Sequence, residues 1–65
     1  MEYSNSQAIS IINEWIHDKK HRKIMKMRLV HGVTMEKIAE KMGMSDRQIK
    51  RIVDKNEKII FSHME

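Results

Sequence analysis

An all-α fold of four helices, at about 5–17, 19–31, 35–42 and 46–61, is what this sequence predicts. Three observations carry that expectation. Apolar residues recur at helical spacing through most of the chain. The 65 residues include no proline and only two glycines, Gly32 and Gly43, each just past a periodic segment, where a left-handed residue ends a helix. Small polar residues of the kind that cap helix N-termini stand before each segment: Ser4 or Ser6, Asp18, Thr34 and Ser45.

Projected at 100° per residue, Ala8, Ile9, Ile11, Ile12, Trp15 and Ile16 of the first helix fall on one arc, with Gln7, Ser10, Asn13, Glu14 and His17 on the other. The apolar arc is about 160° wide, more than the roughly 100° that one core occupies. Such a helix is expected to touch two neighbours, its own domain and a second subunit; the alternative is an arc filled within the monomer. Leaving a half-exposed Trp and two Ile in water would cost several kcal/mol at about 25 cal/mol per Å². In the second helix Ile24, Met25 and Leu29 are expected inward, with Lys19, Lys23 and Lys26 outward. The third helix is short, with Ile38 and Met42 one turn apart and the small Ala39 on the inner face. In the fourth, Ile49, Ile52, Val53, Asn56, Ile59, Ile60, His63 and Met64 form one stripe almost to the C-terminus. Asn56 marks either a kink or a buried polar contact that fixes the register of a helix pair. Phe61 lies off the stripe and is a candidate partner contact.

The segment from Thr34 to Val53 reads as two helices joined by a sharp turn. Gly43 supplies the reversal, and Ser45 with Gln48 three residues on forms a capping box that starts the next helix at Asp46. An ordinary helical hairpin stopped at Gly43 is the plainer alternative, but the interlocking apolar positions give a helix-turn-helix. The run Gly32-Val33-Thr34, Ile38-Ala39, Gly43-Met44-Ser45, Ile49 and Ile52 resembles region four of bacterial sigma factors and related small phage and mobile-element regulators. The stretch from Arg22 to Leu29 is similar to the helix that precedes the motif in that family, so the likeness covers about 18 to 55. Lys37 departs from the pattern, since the family usually carries an acid directly before isoleucine-alanine. Any ion pair that acid makes is not carried over. The resemblance implies a DNA-binding domain.

Composition bounds the function further. The net charge is +4, and residues 17–31 alone carry +5, with Lys19, Lys20, Arg22, Lys23, Lys26 and Arg28 against Asp18. A solvated lysine-rich face would explain such a block by itself; beside this motif it fits phosphate neutralisation. There is no cysteine, hence no disulfide and no thiolate metal site. No apolar run is long enough for a membrane span, no signal-peptide pattern is seen, and a cytoplasmic protein is the expectation. His17 and His21 have the spacing of a paired-imidazole site, but a helix is expected to begin between them at Asp18, and no third ligand is near. No catalytic constellation or glycine-rich phosphate loop is present, so neither an enzyme nor a cofactor is expected. Met27, Met35, Met44 and Met64 either fill gaps in a leucine-poor core, the favoured reading, or form an adaptable binding surface.

In this motif the second helix lies in the major groove with its N-terminal residues at the base edges. Arg47, Gln48 and Arg51 are therefore the expected base contacts, since arginine pairs bidentately with guanine and glutamine with adenine. Thr34, Lys37, Ser45, Lys50, Lys55, Lys23 and Lys26 are the expected phosphate contacts, with Lys19 extending the track. Asp46 favours the helix dipole and near DNA would reject some sequences. The expected dimer interface is Ile9, Ile12, Trp15, Ile16, Ile60 and Phe61. Taken as a single domain with its motif at 34–55 and dimerisation elements at 1–17 and 56–65, the chain is read as a sequence-specific binder of double-stranded DNA that regulates transcription. Repression as a homodimer is the leading expectation, because specific sites usually pair two half-sites. The rivals are an adaptor that binds RNA polymerase or another regulator, and a non-catalytic component of a recombination or excision complex. No small-molecule ligand is evident.

Overall fold

The computed structural model describes residues 5–63, and among them it has four helices and no strand: α1 Asn5–Trp15, α2 Lys19–Leu29, α3 Met35–Met42 and α4 Asp46–Ser62. Each helix from α2 onward begins where a side chain satisfies the free backbone N–H groups of its first turn. The Asp18 carboxylate accepts from the N–H of Lys20 (2.8 Å) and of His21 (3.2 Å). Thr34 Oγ1 accepts from Lys37 N–H at 3.3 Å. Ser45 and Gln48 form the expected capping box: Ser45 Oγ accepts from Gln48 N–H (3.1 Å) and Gln48 Oε1 accepts from Ser45 N–H (3.0 Å). Ser4, one of the two candidate caps of α1, lies outside the described residues, and Ser6 is already inside the helix.

Three boundaries differ from expectation. α1 stops at Trp15 rather than at residue 17, because Asp18 must be extended (φ −77°, ψ 125°) to cap α2. Ile16 still donates its N–H to Ile12 at 3.0 Å, so only 17–18 leave the helical ladder. α2 stops at Leu29 rather than 31. His31 N–H reaches back to Lys26 (3.1 Å) and Val33 N–H to Met27 (2.9 Å), on either side of Gly32 at φ +67°. α4 runs one residue further, to Ser62, without a break at Asn56.

The reversal between α3 and α4 is a Schellman turn. Gly43 takes φ +66°, its N–H and that of Met44 point back to the carbonyls of Glu40 and Ala39, and the Met44 bond is 2.9 Å long. Met44 then packs against the core.

One apolar cluster unites all four helices: Ile11, Ile12 and Ile16; Ile24 and Met25; Ile38 and Ala39; Ile49, Val53 and Ile60. Met27, Met35, Met42 and Met44 pack around it, half-buried, as gap-fillers among isoleucines, whereas Met64 lies outside the described residues. Asn56 is the buried polar residue of the core, and its Nδ2 donates to the Ile52 carbonyl of its own helix at 2.8 Å. That bond satisfies the amide locally, and α4 runs on without the kink considered above.

The first helix corrects a larger expectation. Its apolar arc is mostly absorbed by the chain itself. Ile12, Ile16 and Ile60, expected at a dimer interface, are buried in this core against α2 and α4. Of the six interface candidates only Trp15 and Phe61 are exposed, at 42% and 43%, with Ile9 half-buried. Trp15 also has a neighbour that periodicity did not reveal. Its ring stacks on the imidazole of His63, centroids 3.8 Å apart and planes 7° from parallel, tying the end of α1 to the end of α4.

Two outcomes are expected. A Cβ at Gly43 meets open space, so the cost of Gly43→Ala is that of the left-handed backbone, about 1–2 kcal/mol. Gly43→Asn should recover part of it in denaturant melts. The two backbone N–H bonds, from His21 first and Lys20 second, lower the pKa of Asp18 from its ordinary value. A lowered folded pKa means that the cap stabilises above the unfolded carboxylate pKa and fades as pH falls through the folded one. Thermal melts of Asp18→Ala and the parent chain should therefore differ at neutral pH and converge at about pH 2.

Candidate nucleic-acid interface

α4 buries Ile49, Val53, Asn56 and Ile60 along one side. Helical spacing sets Arg47, Arg51, Asp54 and Lys58 on the opposite side, and all four are exposed. The Gly43 turn and the Ser45 cap fix where α4 begins, so Arg47 projects from its first turn and Arg51 from the next, about 6 Å along. Neither guanidinium is committed to a carboxylate among the described residues. Lys50 and Lys55 flank this face, also exposed.

Gln48 stands differently. It is exposed, but its Oε1 is occupied by the backbone N–H of Ser45 and lies 3.3 Å from the Ser45 hydroxyl as well. Bidentate recognition of adenine needs both the oxygen and the nitrogen of the amide. Gln48 can therefore read a base in that way only by releasing the cap of its own helix.

The other expected phosphate contacts divide among three surfaces. Thr34 and Ser45 are exposed at the starts of α3 and α4, where the N-terminal backbone adds a partial positive charge. Lys37 shares a shallow hollow on α3 with Glu40 and Lys41, so a carboxylate tempers its field. Lys23 and Lys26 stand apart from both. With Lys19, Arg22, Met27 and His31 they line an open furrow along α2, and no residue of α3 or α4 contributes to it. Arg22, absent from the sequence-based contacts, is anchored there by Nη2 donating to the His17 carbonyl (3.3 Å). Its place three residues after Lys19 and four before Lys26 was the available signal.

His17 lies in the break between α1 and α2 and His21 in the first turn of α2, so the two imidazoles do not share one helix face. No group of three potential metal ligands occurs among the described residues, and no helix there is long and apolar enough to cross a membrane.

What this arrangement can do is present two cationic side chains from the start of an exposed helix, braced from behind by α3. No curated protein and no solved structure shows significant similarity to the chain. Residues 18–55, more than half of its length and the whole of α2, α3 and the turn between α3 and α4, match the family model of sigma-70 region 4. The chain belongs to the sigma-70 region 4 family of DNA-binding helix-turn-helix domains.

Proposed function

We propose that this chain is a sequence-specific regulator of transcription that binds double-stranded DNA as a homodimer and represses by occluding a promoter. The observation that carries the reading is the outward pair Arg47 and Arg51 on the first turns of α4, opposite the buried Ile49 and Val53 and bound to no carboxylate of the described residues. Both have the chemistry of guanine readers in the major groove. Thr34 and Ser45, with Lys50 and Lys55, supply phosphate contacts on either side, and Lys37 contributes more weakly beside Glu40. The protein acts by binding alone, with no catalysis, cofactor or small-molecule ligand of its own. Its place of action is the cytoplasm.

The dimer is supported by Trp15 and Phe61, the two large apolar side chains left exposed among the described residues. A recognition helix makes few base contacts alone, and a second half-site about one helical turn away supplies the rest. Ile9 adds to that surface, while Ile12, Ile16 and Ile60 support it from inside.

Two measurements test the reading. Sites selected from random duplex DNA should converge on a palindrome, and Arg47→Ala or Arg51→Ala should each lower the preference for that site by about 1–3 kcal/mol. Lys50→Ala and Lys55→Ala should weaken all duplexes alike and reduce the salt slope by about 1 each. Absence of any enriched sequence would overturn the proposal in favour of an adaptor for RNA polymerase or another regulator, or a non-catalytic part of a recombination complex. Sedimentation of the parent chain should give a dimer that Trp15→Ala with Phe61→Ala converts to monomer; a parent chain that sediments as monomer removes the homodimer.

A further inference from the structure

The outer side of α2 is as cationic as the start of α4 and faces elsewhere. Lys19, Arg22, Lys23 and Lys26 recur at the three- and four-residue intervals that align side chains on one helix side, opposite the buried Ile24 and Met25. Together with Met27 and His31 they line an open furrow. No acidic residue lines it, and no carboxylate of the described residues pairs with any of the four cations. α2 and α4 both turn their apolar sides toward the same core. Their exposed sides consequently point away from it in different directions.

The make-up of the furrow identifies its occupant. A protein partner is normally held by buried aromatic or arginine anchors, and lysine is depleted at such interfaces. This surface offers three lysines, one anchored arginine, one histidine and a single methionine. Lysine serves well as a point-charge binder of phosphate. Lys19 to Lys26 span about 10 Å along the helix in steps of one turn, so the three ammonium groups form a row rather than a single point of charge.

We infer that the α2 furrow is a second, sequence-independent binding surface for a nucleic-acid backbone, so that one chain holds two stretches of duplex DNA, one on α4 and one on α2. The bridging rests on the reading of α4 given above; the α2 surface does not. Its action would be to draw a distant segment of DNA toward the specific site.

The test is capture of a labelled duplex without the site by protein bound to an immobilised short duplex that holds only the site. Lys19→Glu, Lys23→Glu and Lys26→Glu are combined, leaving Arg22 on its carbonyl, and a thermal melt verifies the fold. Capture should fall at least about tenfold and its salt slope by about 3, while preference for the short site over other duplexes is kept and its affinity falls by less than capture does. Trp15→Ala with Phe61→Ala weakens retention on the short site along with the dimer, but capture per retained chain should be unchanged, since each chain carries both surfaces. The inference is overturned by capture that survives the triple charge reversal, by capture per retained chain lost with Trp15 and Phe61, or by short-site affinity that falls as far as capture does. Equal competition by polyglutamate at matched charge would reassign the furrow to an acidic protein and overturn it too. Sequence preference lost in the parent chain, with second-duplex binding still removed by the triple reversal, refutes the reading of α4 and leaves the α2 surface standing.

Discussion

Everything outward-facing on α4 depends on one backbone conformation, the left-handed Gly43. Within three residues the chain closes α3, reverses and opens α4. The N–H groups of Gly43 and Met44 turn back onto α3, and the Ser45 hydroxyl turns forward onto α4. Those local bonds set the rotation of α4 about its own axis. Ile49 and Val53 then fall against Ile38 and Ala39, and Arg47 and Arg51 are left in solvent. A residue with a Cβ at position 43 would meet no neighbour, so the constraint is conformational rather than steric.

α4 serves two purposes along one continuous rod. Its start carries the arginine surface, and its far end closes the core through Ile60 and reaches α1 through the His63–Trp15 stack. A chain of 65 residues has little apolar surface to bury, and this arrangement lets one helix contact all three others. The cost is that α4 carries a buried Asn56. Its amide hydrogen bond to Ile52 keeps that group satisfied without a partner from another helix.

Among the described residues, the lysines and arginines of α2 and α4 are not spent on ion pairs. Surface ion pairs add little to stability, so leaving α2 and α4 with unpaired lysines and arginines sacrifices little of the fold's stability. It preserves a positive field at two surfaces. The stability itself comes from isoleucines and methionines packed under helices that are capped by short-range hydrogen bonds.

The caps and the turn were legible in the sequence because each is encoded in three or four adjacent residues: Asp18 with the N–H groups that follow it, Thr34, the Ser45–Gln48 box, and glycines at the two left-handed positions. The match of α3 to 35–42 and the outward Arg47 and Arg51 follow from them. Periodicity alone gave the apolar side of α1 but not how much of it the neighbouring helices cover. Only the packing of α2 and α4 decided that Ile12, Ile16 and Ile60 are interior while Trp15 and Phe61 are not. It also decided that Trp15 meets His63, some fifty residues away in sequence, and that Lys23 and Lys26 belong to a separate furrow. Contacts between helices depend on how far each rotates and tilts against the next, and that is fixed by the sum of the core rather than by any local run of residues.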